Sequence, residues 1–468
     1  SSPSIAGAMI NHAALLLGKV PVNLNYTVSE KVMENILEQC EIETVVASRE
    51  FLKKGKITVP AKLVYVEDIA KRFTVGDKVL AGLRAYFLPL PVLERSLGRR
   101  GRRSVDDIAT IIFSSGSTGM PKGAMLSHWN ISSNIEGTSQ VFPLTSDDSV
   151  LGVLPFFHSF GTMATLFLPH VAEIKVSYYP NPLDARGIGE VVERDGVTFL
   201  IATPTFLQNF SRRIEPRQFG SVDLVMTGAE KLRDNVANAF EEKFGIRPYE
   251  GYGCTECSPV VAINTHGFRA PGLFQRGAKR GKIGRTIPGV TVRIVDPDDG
   301  KPKDVGEEGL IVVAGPNIMQ GYLNKPEKTA EALQNGWYNT GDIGMMDEDG
   351  FIEITDRLAR FSKIGGEMVP HGRVEQILNN CAETSESVFA VTGISDEKKG
   401  EKLMALTTLS EEEAEQVRKK ASKEGDIPAL WIPKARDIVH VDEIPQLGTG
   451  KMDLKEIKRL AEEGSQDE

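Results

Sequence analysis

Ser114-Ser115-Gly116-Ser117-Thr118-Gly119-Met120-Pro121-Lys122-Gly123 follows the apolar run at residues 108–113 and contains little besides hydroxyls, glycines and one lysine. It reads as a buried strand feeding a loop made for phosphate. Glycines let the backbone turn tightly enough to aim successive N–H groups at an anion, and the hydroxyls and Lys122 add donors and charge. It is not a Walker A loop, because no Gly-Lys-Ser/Thr follows at the required spacing and Pro121 has no N–H to offer. A glycine- and serine-rich stretch by itself equally describes a turn or a linker, so the surrounding sequence has to choose.

Outward from this loop the chain alternates between apolar strands and amphipathic helices. Strands are expected at 43–48, 62–66, 108–113, 150–154, 174–179, 198–202 and 222–226, and helices from Ser127 onward and over 233–244. Thr27-x-x-Glu30 has the form of a capping box ahead of Val32, Met33, Ile36, Leu37 and Cys40, which share one helix face. Such alternation implies parallel sheets covered by helices. After Pro288 strand follows strand, at 290–295, 310–314 and 345–354, the last turning at Asp349-Gly350, which is antiparallel hairpin material. With 468 residues, at least two domains are required. The expected fold is α/β: a large domain over 1–356 with parallel sheets, helices and a small antiparallel β subdomain, a hinge at 357–360, and a smaller mobile α+β domain over 361–468.

Composition narrows the function classes. A formal charge of −9 argues against a nucleic-acid partner. Four cysteines in a chain of this size make no disulfide framework, which points to a reducing, cytoplasmic setting. Cys254-Thr255-Glu256-Cys257 has redox spacing, but no second pair or histidine cluster accompanies it, so no protein-ligated zinc is expected. Residues 149–172 carry no charge, yet Pro155, His158, Gly161 and Pro169 interrupt them, leaving a length suited to a buried core helix. Residues 80–93 are apolar apart from Arg84 and Glu94 follows, then Arg95, Arg99, Arg100, Arg102 and Arg103. A basic, apolar segment can lie on an anionic membrane surface; the expectation here is the blander one, a mobile loop with a solvated charge run.

Four further segments occur in a fixed order: Tyr249-Glu250-Gly251-Tyr252-Gly253-Cys254-Thr255-Glu256, Trp337-Tyr338-Asn339-Thr340-Gly341-Asp342, Asp356-Arg357 through Lys363, and Gly448-Thr449-Gly450-Lys451. Together with the phosphate loop they resemble the adenylate-forming superfamily of acyl-CoA synthetases, luciferases and adenylation domains. Leu154-Pro155-Phe156-Phe157-His158-Ser159-Phe160-Gly161, Thr227-Gly228-Ala229-Glu230-Lys231 and Gly315-Pro316-Asn317-Ile318-Met319-Gln320-Gly321-Tyr322 are most similar to the acyl–acyl-carrier-protein synthetase domain of bacterial 2-acylglycerophosphoethanolamine acyltransferase. A first βα segment expected from that family is missing before Ser1, so the chain reads as part of a larger multidomain polypeptide.

The resemblance implies ATP-dependent activation of a fatty acid to an acyl-adenylate, followed by transfer to a phosphopantetheine thiol. It assigns Ser114, Ser115, Gly116, Ser117, Thr118, Gly119 and Lys122 to the nucleotide phosphates, Glu256 to Mg²⁺, Thr255 to a phosphate and Tyr252, beside Gly253, to adenine. Gly228, Ala229 and Glu230 would line the adenine side, while Asp342 and Arg357 would hold the ribose. Asp342 has two acceptor oxygens for two hydroxyls, and Arg357 a fixed fork of donors. Lys451 would stabilise charge during adenylation, and the segment holding Lys363, Gly365 and Gly366 would enter the site for thioester formation. His158 and Phe157 would flank the acyl pocket. Departures from the pattern are Arg360, where the hinge usually has aspartate or lysine, and Asp453-Leu454 after Lys451.

The leading acceptor is an acyl carrier protein, serving lysophospholipid reacylation at the cytoplasmic face of an inner membrane. Acyl-CoA ligation is the enzymatic rival, and a silent nucleotide- or acyl-binding domain is the rival of another class. Intact Lys122, Glu256, Asp342, Arg357 and Lys451 stand against silence. Arg269, Arg276, Lys279, Arg280, Lys282 and Arg285 form a basic cluster that could steer an acidic carrier, or equally be solvated or meet pyrophosphate.

Overall fold

The computed structural model describes residues 3–97, 104–114, 121–364, 367–382, 384, 387–396, 400–424, 428–446 and 452–465, with backbone alone at Ala359, Lys363, Glu367, Met368, Glu424 and Ala429. The fold is α/β, as the alternating pattern requires. Its centre is a seven-stranded sheet in the order Arg285–Thr286, Val260–Ile263, Tyr249–Gly253, Leu224–Thr227, Phe199–Ala202, Ser149–Gly152, Lys175–Tyr178. The strands from Tyr249–Gly253 to Lys175–Tyr178 run parallel. Ser149–Gly152, Phe199–Ala202 and Leu224–Thr227 are buried at every position, so both faces are covered and the sequence there is continuously apolar rather than alternating. Helices Ala185–Asp195, Pro204–Arg213 and Asp234–Phe244 provide the crossovers.

A smaller sheet orders Gly321–Tyr322, Lys122–Ser127 and Ile108–Ser114, with Ser114 opposite Lys122 and Tyr322 opposite Ala124. Ile108–Ser114 and Lys122–Ser127 pair antiparallel, and Ser127 caps the helix His128–Val141 that follows them.

Packing divides the chain into two compact units. One holds Ser1–Ala278, Thr286–Thr291 and Val313–Tyr338, and the other Lys279–Arg285, Val292–Val312 and Asn339–Glu468. By packing, then, the division falls before the expected hinge at 357–360. Trp337–Met346, which enters the second unit at Asn339, pairs antiparallel with Ile352–Arg357 from Asp342↔Arg357 to Met346↔Ile352, turning through Gly350 at φ 79°. Beyond them lies a mixed sheet in the order Glu367–Pro370, Phe361–Ile364, Gly400–Thr407, Phe389–Asp396, with Ile438–His440 parallel to Gly400–Thr407. His371–Cys381, Glu411–Glu424 and Leu454–Gly464 pack around this sheet through Val374, Leu378, Ala414, Ile457 and Ala461.

Two local expectations change. Thr27 does not cap a helix: its hydroxyl donates to Asn25, and Glu30–Gln39 starts after Ser29 without a side-chain cap. Residues 80–93 are not a loop. Thr74 and Asp77 form a reciprocal capping box that starts the helix Val75–Phe87, and Leu90–Ser96 forms a second, short helix. The uncharged stretch 149–172 is a strand followed by a buried helical run over 159–171, which contains one π turn at Met163–Phe167.

Candidate active site

Four parallel strands deliver the motif residues from their carboxyl ends, where ligands bind in open α/β sheets. Ser149–Gly152 leads to Phe157 and His158, Phe199–Ala202 to Thr205, Leu224–Thr227 to Gly228-Ala229-Glu230, and Tyr249–Gly253 to Thr255-Glu256. Close packing fixes the last of these turns. A Cβ on Gly253 would collide with the Pro259 carbonyl, so this position admits only glycine. Buried amides pin the segment that follows. Asn317 Nδ2 donates to the Cys257 carbonyl at 2.8 Å, and Asn134 receives Val260 N–H while donating to the Val260 carbonyl at 2.7 Å.

Glu256 is thereby held buried. Its Oε1 accepts from Tyr322 Oη at 2.9 Å and from Ser114 Oγ at 3.3 Å, so it is tied to the last residue of the strand Ile108–Ser114. Lys122, opposite Ser114 on the paired strand, places its ammonium 4.5 Å from the Tyr322 ring centre. Burial and the Glu256 carboxylate push the Tyr322 hydroxyl far above its usual range, and burial does the same to Tyr338, with Cys254 and Glu256 adding to it. Both phenols remain protonated donors. A buried carboxylate with two donors still has free lone pairs. That donor set fits a magnesium ion, which takes one or two protein carboxylates and draws its other ligands from nucleotide oxygens and water. Among the described residues no group of three or more His, Cys, Asp or Glu side chains forms a metal cage.

Thr255 Oγ1 donates to Ser159 Oγ at 3.2 Å, linking this turn to the buried helical run. Ser159 lines a small, partly open crevice of about 10 Å³, together with Thr162, Met163, Phe167, Ile131 and Ser258, and no charged side chain borders it. Ser258 Oγ is buried without a hydrogen-bond partner. Helical runs broken by a single π turn are frequent at functional sites, and this turn supplies Met163 and Phe167 to the pocket. His158 caps the run, accepting from Phe160 N–H at 3.4 Å through Nδ1, and Phe157 is buried edge-on against Tyr26 at 5.0 Å.

Ala229 adopts φ 71°, a left-handed conformation that costs a non-glycine residue energy and marks a constrained turn. The adjacent Glu230 receives Thr205 Oγ1–H at 2.7 Å. Tyr252 pairs with Ala262 across its strand. In the second unit Asp342 and Arg357 face each other across the hairpin, Arg357 Nε donating to Asp342 Oδ1 at 2.9 Å, with Asp342 buried and Arg357 more than half exposed. The two residues expected at the ribose are thus brought together as an ion pair. Arg360, the departure at the hinge, is ion-paired with buried Glu375, which also accepts Val391 N–H at 2.7 Å.

Ser115, Gly116, Ser117, Thr118, Gly119, Gly365, Gly366 and Lys451 lie outside the described residues, as does the Lys363 side chain. The basic cluster is not a free patch: Lys279 bridges Asp347 and Asp349, Lys282 pairs with Glu353 at 2.5 Å, and Arg285 donates to the Asp349 carbonyl. Tyr322, Ser159 and the asparagine set carried no assigned role in the sequence. Asn134, a polar residue between Ile131 and Ile135 on a helix face, was the available signal.

A sequence profile of AMP-binding enzymes matches residues 2–323, and one of the AMP-binding enzyme C-terminal domain matches residues 373–451. The chain belongs to the AMP-binding enzyme family. Among relatives of this AMP-binding protein, 4-coumarate–CoA ligase 3 of Oryza sativa subsp. japonica is 29% identical over 368 residues, covering 76% of this chain and 64% of that enzyme. The chain thus spans just under two thirds of that relative's length. A long-chain-fatty-acid–CoA ligase of Yersinia pestis is 27% identical over 469 residues, covering 95% of this chain and 81% of that protein. The same fold is seen in o-succinylbenzoate coenzyme A synthetase of Bacillus subtilis, solved in complex with ATP and magnesium ion, at a TM-score of 0.78 and 23% identity over 98% of this chain and 88% of that one.

Proposed function

We propose that this chain is an ATP-dependent, AMP-forming acid–thiol ligase that activates a fatty acid and passes it to the phosphopantetheine thiol of an acyl carrier protein, for lysophospholipid reacylation. The observation that carries the acid's nature is that no charged side chain lines the crevice joined to Thr255 through Ser159. A second carboxylate brought against this wall would find no cation, so an acid with an apolar tail is favoured over a dicarboxylate.

In the first half-reaction a carboxylate oxygen attacks the α-phosphorus, the bond to the β-phosphate breaks, and pyrophosphate leaves. Residues 114–119 and Lys122 would hold the β- and γ-phosphates, Thr255 would donate to a phosphate oxygen, and Lys451 would meet the charge that develops. Magnesium, held through Glu256, would supply charge neutralisation at the phosphates. Tyr252 and Gly253 would border adenine with Gly228, Ala229 and Glu230, while Asp342 would exchange its pairing with Arg357 for the ribose hydroxyls. In the second half-reaction the thiol sulfur attacks the acyl carbon and AMP departs with its phosphate oxygen. Lys363, Gly365 and Gly366 would border that step after a rotation about 357–360. His158 and Phe157 would flank the acyl entrance.

The carrier reading rests on the motif likeness at 154–161, 227–231 and 315–322. Coenzyme A as acceptor is the second reading, favoured by the relatives that are CoA ligases. Supplying ATP, Mg²⁺ and palmitate with either holo-carrier protein or CoA separates the two. Acylation of the carrier alone is the expected result; acylation of CoA alone replaces it with the second reading, and no ATP–pyrophosphate exchange with any apolar acid rejects both.

A further inference from the structure

The helix Val75–Phe87 has 13 residues, begins with a capping box, and buries none of them. At 100° per residue, Val75, Val79, Leu83 and Tyr86 fall on one side with Leu80 and Phe87 beside them, an apolar arc of about 140°. All six are exposed, Val75, Tyr86 and Phe87 by 77%, 83% and 70%. A helix of this length is marginal in water by itself, so a helix with an apolar arc and no buried residue lacks the cover that would hold it.

Charge indicates what the cover is. Lys78 and Arg84 border the arc on its two sides. Between residues 71 and 97 there are five basic side chains (Lys71, Arg72, Lys78, Arg84, Arg95) against two acidic ones (Asp77, Glu94), in a chain whose net charge is −9. Asp77 is engaged in the capping box. The next helix adds exposed Leu90 and Val92. No helix among the described residues is long and apolar enough to cross a membrane.

We propose that the Val75–Phe87 helix is an interfacial membrane-docking element that lies in the headgroup region of an anionic bilayer, its apolar arc inward and Lys78 and Arg84 reaching the phosphates. Large apolar and aromatic side chains on one face with cations at the borders are the composition such helices use. A second copy of this chain is disfavoured, because an isologous pairing would crowd Lys78 and Arg84 of both copies around one seam with no facing acid on the arc. The inference is independent of which acid and which thiol the site uses.

The test is co-sedimentation of the whole chain with phosphatidylcholine vesicles and with vesicles that also contain phosphatidylglycerol. Binding is expected only to the latter, falling with added salt. Val79→Asp/Leu83→Asp should abolish it, and Lys78→Glu/Arg84→Glu should lower it at least about tenfold, since each cation near an anionic surface contributes about fivefold. Circular dichroism and thermal melting check that these surface variants remain folded. Equal binding to both vesicle types, or binding untouched by the aspartates, overturns the proposal. So does a dimer in light scattering that the aspartates dissolve while wild-type protein ignores vesicles, an outcome that assigns the face to a second copy; capture of an acidic carrier protein by this face, again without vesicle binding, assigns it to a protein partner.

Discussion

Two apolar helical runs of equal length, 159–171 and Val75–Phe87, meet opposite fates in this molecule. The first has no charged residue, is buried along most of its length, and lines the pocket beside Thr255. The second carries charges at the borders of its apolar arc and is exposed along its whole length. Apolar content alone therefore does not decide burial. Where every helix face is apolar or small the run enters the core; where cations border an apolar arc, the arc is left for something outside the chain. The predictions on Gly161, Met163 and Gly82 below test whether the two runs differ in this way.

The largest effect is expected in the buried run. A Cβ at Gly161 would collide with the Pro155 carbonyl and stand 2.8 Å from the Leu154 carbonyl, both rigid backbone. Gly161→Ala should destabilise the first unit by about 3 kcal/mol, the upper range for overpacking. Chemical denaturation measures it, and a midpoint unchanged from wild type would show that the run is not tightly packed.

Burial beneath the site also makes stability depend on pH. Glu250, on the strand that leads to Glu256, is pushed up to about 7 by burial, although Leu232 N–H at 3.0 Å and Lys231 pull the other way. The folded value lies above the unfolded one, about 4.3. The native state therefore holds its proton longer, its stability is whole below about pH 4.3, and up to about 3 kcal/mol is lost as pH rises to 7. Glu250→Gln keeps an acceptor for Leu232 N–H and removes the ionisation. Melting curves of both proteins should coincide near pH 4 and separate, with the variant more stable, by pH 8. A constant offset would mean that Glu250 ionises freely.

A third change probes the pocket under the proposed acid specificity. Met163→Trp places a larger side chain in the wall lined by Thr162 and Phe167. The kcat/KM for palmitate should fall at least about tenfold, the range of pocket-size effects, while that for a short acid changes less. Equal losses for both acids would place the acyl tail elsewhere.

How much of this contrast could be read beforehand follows from the physics of each element. Parallel strands buried on both faces are continuous apolar runs, so Val150, Leu200 and Val225 announced themselves. The turn at Tyr249–Gly253 into Thr255-Glu256 was legible because tight backbone packing demands glycine at 253 and the family likeness expects a carboxylate at 256. Tyr322 was not, because its role comes from a neighbouring strand that brings its hydroxyl to Glu256 across 66 residues of chain. The pairing within the basic cluster was hidden for the same reason: Asp347, Asp349 and Glu353, which pair with Lys279 and Lys282, are distant in sequence and adjacent only in the fold. The exposed helix was hidden by its start signal. Thr74-x-x-Asp77 forms the cap that Thr27-x-x-Glu30 only imitates, and a cap is settled by whether the residues that follow can continue a helix.

The smallest effect belongs to the exposed helix and is local. Gly82 lies in the interior of Val75–Phe87, and a Cβ there would meet nothing within 4 Å. Gly82→Ala should favour the helix by about 0.5–1 kcal/mol through backbone entropy alone. Because the helix buries no residue, that gain has no route into the core, and the global melting temperature should stay at the wild-type value. Amide hydrogen exchange within 79–87 should instead slow by about two- to fivefold, as local opening becomes rarer. Anionic vesicles should slow it further in both proteins if the arc lies in a bilayer. A rise in global stability from Gly82→Ala would break the comparison, because it would show this helix to be as firmly joined to the core as the one it is set against.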